Sequence, residues 1–452
     1  MCANKLNDKD VMNILIDTAL SNGATSADCV LSRSRGISLT RRLGKDETIE
    51  RYEDFDTGLR VFVGNKIASV STNENSEAAI REVAKRAVDM AKIAPQDEFS
   101  LIATKKTLQE FPIDGNISVD SYDEIEPSID IIRDRATEVE DIALSVKGIT
   151  NSDGADASWG EGETLLMTSN GFFGSSKKSN HSVSVVVIAE KDGKMERDYD
   201  YSSKVFGQDL KNLNEIGLEA AKKTLARMGA IKPVTGKYPV IFDQRVSRSI
   251  ASHFASAING SAIARKTSFL KDMLNKQIAN TAINIIDDPF LKRGLGSRLF
   301  DAEGLGSRKY TLIENGELKQ WLLDLSSAKQ LNLNPSGNAK RGINGPPSPG
   351  TSNFMISPGE VTPENLIKNI SEGFFITDMI GSSISMITGD YSRGASGFWI
   401  KNGELSQPIT EATIAGNLKE MFMTLQPAND LNYSHSINSP TLLIEGMTIA
   451  GN

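Results

Sequence analysis

The chain has 452 residues, of which 39% are hydrophobic and 24% charged, with a formal net charge of −8. That length predicts two domains of roughly 200 residues each, and an acidic balance with no basic stripe argues against a protein that works by clustering Lys and Arg on nucleic-acid phosphates. No window approaches the ~18 consecutive apolar residues of a membrane span, Met1-Cys2-Ala3-Asn4-Lys5 leads into no apolar signal core, and Cys2 with Cys29 are too few for a disulfide framework, so a cytoplasmic protein is expected.

In chain order, Val11, Ile14, Leu15 and Leu20, stopped by Gly23, predict a helix over 10–22. Alternating stretches predict strands over 27–32 and 37–43, then over 59–63 and 67–71 with a hairpin at Gly64-Asn65. A helix follows from Glu77, with Ile80, Val83, Ala84, Ala87 and Ala91 on one stripe and Pro95 closing it; another runs over 129–144. Asp192-Gly193 joins strands over 182–190 and 195–202, and a helix over 209–228 leads to the turn residues Gly229, Pro233 and Gly236. The boundary therefore falls at about 232, giving an α+β domain over 1–232 in which helices and antiparallel hairpins occupy separate runs.

The second domain, 233–452, opens with a strand over 238–242 and a helix over 246–257, then turns mainly β. Asn315-Gly316 and Asn402-Gly403 mark hairpins, and further strands are expected over 282–286, 374–379 and 441–448. Heavy Gly and Pro punctuation suits a barrel or sandwich with a few helices.

The motifs are mostly informative by absence. A helix-borne zinc peptidase site needs His-Glu-x-x-His, yet none of the three histidines, His181, His253 and His435, is followed by Glu or by a His four residues on. Ser326-x-x-Lys329 followed by Ser336-Gly-Asn338 superficially resembles an acyl-enzyme site, without its Lys-Thr-Gly strand or its spacing. No Gly-x-Ser-x-Gly elbow, Walker loop or dinucleotide fingerprint occurs. The Asp287-Asp288 pair reads as a solvated turn.

Several stretches carry a resemblance. They include Ser252-His-Phe-Ala-Ser-Ala-Ile-Asn-Gly260, Ala264-Arg-Lys-Thr-Ser-Phe-Leu270 and Gly294-Leu-Gly-Ser-Arg-Leu-Phe-Asp-Ala-Glu-Gly304. Ser352-Asn-Phe-Met-Ile-Ser-Pro-Gly359, Thr388-Gly-Asp-Tyr-Ser-Arg-Gly-Ala-Ser-Gly-Phe-Trp399 and Ser439-Pro-Thr-Leu-Leu-Ile-Glu-Gly-Met-Thr-Ile-Ala-Gly451 follow, and Gly58-Leu-Arg-Val-Phe-Val-Gly64 adds the first half. With these the chain resembles the TldD/PmbA family along nearly its whole length, and most closely its PmbA (TldE) branch. In the catalytic TldD branch the corresponding helix carries His-Glu-x-x-x-His, and a cysteine near the C-terminus completes a zinc site. Here that pattern falls on His253, Phe254 and Ile258, and 431–438 contains no cysteine.

The resemblance therefore implies that this chain carries no catalytic residue and binds no metal itself. Zinc is expected on a TldD-type partner subunit, and the pair is expected to degrade or trim unfolded or leader peptides. The older family label is modulator of DNA gyrase, and the absence of a basic surface signal means direct DNA contact is not expected. The expected contribution of this chain is one wall of a peptide chamber plus strand edges to which an extended peptide adds. Asp390, Tyr391 and Arg393, flanked by Gly389 and Gly394, are the leading substrate-binding candidates, with Asn353, Arg265 and Lys266. Two other classes stay open: a stand-alone hydrolase using a site such as Ser326/Lys329, and a non-proteolytic binding protein acting on gyrase.

Overall fold

The computed structural model describes residues 6–451; Cys2 lies outside them. Six long strands, β1 (Ser26–Arg42), β2 (Lys45–Val63), β3 (Lys66–Thr72), β4 (Asn151–Thr168), β5 (Phe173–Lys191) and β6 (Lys194–Lys204), form one sheet in the order β3-β2-β1-β4-β5-β6. Every adjacent pair is antiparallel. The Gly64-Asn65 and Asp192-Gly193 hairpins form as expected, with Gly64 at φ +61° and Gly193 at φ +74°.

Two readings of the first half need correction. The expected strands over 27–32 and 37–43 are one continuous strand, and β4 was not anticipated. The polar run Arg33-Ser34-Arg35 hides the continuity, because these arginines fall between two apolar patches and pair with acids there. Arg33 Nε donates to Asp8 at 2.7 Å and Arg35 Nε to Glu161 at 2.6 Å. In β4 the glycines Gly154, Gly160 and Gly162, with interspersed acids, mask the alternation.

Helices α1 (Asp8–Ser21), α2 (Glu77–Ile93), α3 (Lys105–Glu110), α4 (Ile129–Ser145) and α5 (Leu213–Ala226) follow from local signals. Asn7, Ser76, Ser128 and Asn212 each accept a hydrogen bond at a helix N-terminus. α1 and α2 pack with Leu31, Leu59 and Leu165 into one apolar cluster. α4 and α5 pack with Leu39, Ala157 and Val185 into another. All these strand residues are odd-numbered, and between 27 and 39 the register of β1 with both neighbours is unbroken. One sheet face is therefore helix-covered along its length, and the even-numbered residues look the other way.

The even face meets the second half. Asp28 and Arg60 are directly opposite each other in register; Arg60 Nε donates to Asp28 at 2.8 Å, and Arg341 from the second half bonds the other carboxylate oxygen. Asp28 is 2% and Arg60 3% exposed. Burial pushes the Asp28 carboxyl upward, but the two guanidiniums outweigh it and hold it below the usual carboxylate range.

In the second half, β7 (Gly236–Phe242) lies between Leu442–Ala450, antiparallel, and Glu372–Ile384, parallel. The sheet continues through Asp390–Lys401 to Glu404–Asn417, whose Thr413–Ala415 stretch pairs with Thr448–Ala450. The sheet thus closes into a small barrel, as the β-rich reading of this half expected, while along 404–412 the outer edge is bridged, among the described residues, only at Ile409, to Ile231. A smaller sheet holds Ile285–Asp287, Tyr310–Glu314 and Phe354–Ile356. The Asp287-Asp288 pair is not a solvated turn. Asp287 is fully buried and accepts from Ser352 N at 2.7 Å and Asn338 Nδ2 at 3.0 Å, and burial raises its carboxyl pKa.

Removing Asp28 leaves two guanidiniums buried without their counter-charge. Asp28→Ala is therefore expected to destabilise the protein by roughly 3–5 kcal/mol, read from the midpoint of urea unfolding at unchanged slope. A loss below about 1 kcal/mol would show that water reaches the arginines.

Candidate functional site

Helix α6 (Gln244–Ala257) follows β7 directly, with the Asp243 side chain accepting from Arg245 N at 2.9 Å. Its apolar positions Val246, Ile250, Ala251, Phe254 and Ala257 recur at helical spacing and are buried in the barrel's core. The opposite stripe, Arg245, Arg248, Ser249 and Ser252, lines a cavity of about 510 Å³. Tyr199 of β6, Asp378 and Met379 of Glu372–Ile384, Arg393, and the loop at His435 and Ser436 complete its walls. Arg248 and His435 also line an adjoining polar cavity reaching Lys211 and Lys223, so the two form one groove along α6.

The charges in the groove are unequal. Arg245 is held by Asp198 at 2.6 Å and lies 3.6 Å over the Tyr199 ring, while Arg227 bridges Asp198 and Asp378, each at 3.3 Å. The Arg248 guanidinium has no ion pair or hydrogen bond among the described residues, and Arg393 donates Nε to the Gly381 carbonyl at 2.7 Å with no ion pair among them. Burial first, and Arg393 second, lowers His253 to about 4. Burial, then Arg248 and Lys204, lowers His435 to about 4 as well. His435 Nε2 and Tyr201 Oη are 2.6 Å apart and share one proton. Lys211 and Lys223 are both paired with Asp200, and Asp209, Asp243 and Asp430 also line that end, so the groove's uncompensated positive charge sits at Arg248 and Arg393, with both imidazoles kept neutral.

Strand alternation separates the leading candidates. Tyr391 and Arg393 point to the α6 side, where Tyr391 meets the His253 ring edge-on at 5.8 Å. Tyr391 is 2% exposed, and burial raises its hydroxyl to about 12 against the opposing Arg393 charge; it backs the wall while Arg393 reaches the cavity. Asp390 points away and is exposed, bonded to Thr388 at 2.7 Å and Asn417 at 3.0 Å. Those bonds, Thr388's first, lower its pKa. Asn353 is fully buried, contacting Gly296 N, Ser297 Oγ and Asp288 O within 2.9 Å, so it clamps the 294–297 turn and lines no groove wall. Arg265 and Lys266 are exposed after the short helix Gly260–Ala264, outside the groove.

Sequence reasoning passed over Arg245, Arg248, Tyr199 and Asp378. The polar stripe of α6, opposite its apolar one, was the available signal for the first two. The serine/lysine constellation is not assembled. Lys329 Nζ turns to the Glu98 carbonyl, Ser336 is bonded to the Leu323 backbone, and no hydrogen bond joins Ser326 to Lys329 among the described residues.

The α6 positions where a zinc site is implied by resemblance hold other chemistry. Phe254 is fully buried and stacked on Phe422, with centroids 3.6 Å apart and planes at 15°. Ile258 is fully buried in the same core, and His253 Nε2 is buried with no hydrogen-bond partner. Among the described residues no three His, Cys, Asp or Glu side chains converge as a metal would need. One imidazole does not fit the tetrahedral ligand set of zinc.

The comparisons with known proteins follow the fold closely. Three family models match in order: PmbA/TldA metallopeptidase domain 1 over 27–91, the central domain over 122–228 and the C-terminal domain over 235–451. The chain is 34% identical over 448 residues to metalloprotease PmbA of Escherichia coli O157:H7, covering 98% of this chain and 97% of that one. It belongs to the PmbA/TldD metallopeptidase family. A crystal structure from Bacteroides thetaiotaomicron described as a putative modulator of DNA gyrase superposes with a TM-score of 0.90 at 28% identity, covering all of both chains. TldE from Thermococcus kodakarensis has the same fold, with a TM-score of 0.86 at 21% identity over 98% of this chain and 100% of that one.

Two outcomes follow from this packing. Phe254→Glu, which puts back the motif's carboxylate, is expected to cost at least the roughly 3–5 kcal/mol of a Phe→Ala core deletion, with no gain in zinc affinity, as read by denaturation and by metal titration. His253 and His435 have folded pKa values near 4, below the unfolded value of about 6.5. Their contribution is therefore complete above about pH 6.5 and lost as pH falls toward 4, by up to about 1.4 kcal/mol per pH unit each. His253→Gln is expected to flatten the pH dependence of unfolding across that window, and an unchanged slope would place the imidazole in water.

Proposed function

We propose that this chain is the non-catalytic subunit of a heteromeric metallopeptidase, forming one wall of a chamber in which a TldD-type subunit supplies the zinc. The observation that carries this reading is the stacking of Phe254 on Phe422 with Ile258 in the core. The helix that would carry a catalytic base and a second imidazole is committed to packing on that side. Its other side remains available to a ligand, and the groove there offers Arg248, Arg393 and the loop at His435.

Unfolded or leader peptides are the proposed substrates. An extended backbone suits a groove walled by a helix and barrel strands, and the edge along 404–412 offers main-chain groups for strand addition. The proposed setting is the cytoplasm. No helix among the described residues is long and apolar enough to cross a membrane, and Cys29 is a buried free thiol. The net charge of −8 disfavours direct contact with DNA.

The test is zinc content and cleavage of an unfolded peptide by this chain alone and mixed with a TldD-type subunit. Zinc and cleavage only in the mixture are expected. Stoichiometric zinc and cleavage by this chain alone would overturn the reading in favour of a self-sufficient hydrolase, and no cleavage in either case would favour a non-proteolytic binding protein.

A further inference from the structure

A second cavity, of about 350 Å³, lies where the even face of the six-stranded sheet meets the 295–302 and 339–341 segments. Four cations line it: Lys178 from β5, Arg298, Lys340 and Arg341. Asp301 is its single acidic lining residue, and that carboxylate is already occupied by the backbone N–H groups of Glu303, Leu305 and Ala339 at 2.9–3.0 Å. Among the described residues Lys178, Arg298 and Lys340 make no ion pair. Arg298 donates Nη1 to the Ala339 carbonyl at 3.1 Å, and Arg341 gives Nη1 to Asp28. The Nε and Nη2 atoms of both arginines are buried without a partner.

Such an arrangement is costly without an anion, since buried guanidinium N–H groups lose water and the cations repel one another. The Lys178 amine records this: burial first, then Arg298 and Lys340, pushes it down to about 8. Burial likewise lowers Arg298. Arg341 is neutralised by Asp28, and Arg298 and Lys340 also feel the buried Asp287. Lys178, Arg298 and Lys340 nevertheless gather at one cavity with no ion pair among the described residues, and on a chain with a net charge of −8 they mark a place for negative charge.

The remaining lining says more about the ligand. Val30, Leu166, Leu295 and Phe300 give the cavity an apolar wall, which a bare inorganic anion leaves unused. Leu295 and Ser436 line both this cavity and the α6 groove, so the two adjoin at that loop. We propose that the cavity receives the C-terminal carboxylate of a peptide whose last side chain is apolar, with the peptide body leaving past Ser436 into the α6 groove. The carboxylate sits among the Arg298, Arg341 and Lys178 donors, Lys340 closes the solvent side, and the apolar wall seats the final side chain. Planar guanidinium edges suit a carboxylate geometrically as well as by charge. This inference rests on the reading that the chain handles peptides and adds which end is held, and where.

The experiment uses the full chain alone, so it stands apart from whether a partner restores cleavage. Fluorescence anisotropy compares a labelled peptide ending in a free Leu carboxylate, its C-terminal amide, and an amidated version carrying an internal Glu, with inorganic phosphate as competitor. The free acid is expected to bind about ten-fold or more tightly than the amide. Lys178→Met combined with Lys340→Met is expected to erase that preference with the thermal midpoint of the unliganded chain not lowered. Arg298→Lys, which keeps the charge and loses the fork, is expected to reduce it. Equal binding of acid and amide, binding of the internal-Glu amide as tight as the free acid, phosphate binding with no peptide binding, or no binding of any probe would each overturn the proposal. Activity lost in the mixture while the free acid still binds would instead count against the heteromeric reading alone.

Discussion

The most deeply buried ionic contact between the two halves of the molecule centres on one ionised carboxylate, with Arg245–Asp198, Arg227–Asp378 and Arg293–Asp209 joining them nearer the surface. Asp28 is clamped between Arg60, its cross-strand partner, and Arg341, which arrives from the far half of the chain. A buried charge group of this kind contributes little net stability compared with a well-packed apolar substitute, and its value lies in direction. Only one docking of the second half satisfies all three ions. Gly58 makes the approach sterically feasible, because a Cβ there would stand 2.0 Å from the Ile343 carbonyl oxygen. The cation-lined cavity is therefore fixed by the same contact that joins the halves, and Arg341 belongs to both.

Helix α6 has two faces with different surroundings. One stripe is absorbed by the barrel core through Phe254 and Ile258, and the opposite stripe faces a groove beside which burial first, and nearby cations second, keep two histidines neutral. The aromatic stack on Phe422 fills the space a catalytic carboxylate would need. Packing and chemistry compete for the same helix positions here, and packing has taken them.

Much of this was legible in the amino-acid sequence, and the parts that were not share a cause. Helices with capping residues and apolar stripes, and hairpins at Asn-Gly and Asp-Gly, could be read because their signals are local. The continuity of β1 and the existence of β4 are hidden because their polar and glycine residues are explained by partners on other elements, such as Asp8 for Arg33 and Glu161 for Arg35. The candidate site divided in the same way. Alternation along Asp390–Lys401 sends Arg393 toward the groove and Asp390 away from it, yet which face meets α6 depends on how the barrel closes. Asn353, a substrate-binding candidate from the sequence, instead spends its amide on Gly296 N and Ser297 Oγ, an approach that a Cβ at Gly294 or Gly296 would crowd. The cavity cations, drawn from β5, the 294–298 turn and the 340–341 pair, share no sequence neighbourhood at all.

The barrel's closure also bears on the order of assembly. Four of the five strand pairs of the first sheet are hairpins, and only β1 with β4 meets across the helical stretch 73–150, so that sheet builds up as the chain emerges from the ribosome. β7 is made early in the second half but sits between Glu372–Ile384 and Leu442–Ala450, strands synthesised long afterwards. Through that interval its apolar residues Val240, Ile241 and Phe242 wait without their flanking strands, and the barrel cannot shut until Leu442–Ala450 has cleared the exit tunnel. The second half therefore folds in one late, non-local step, against a first half that already stands as its template.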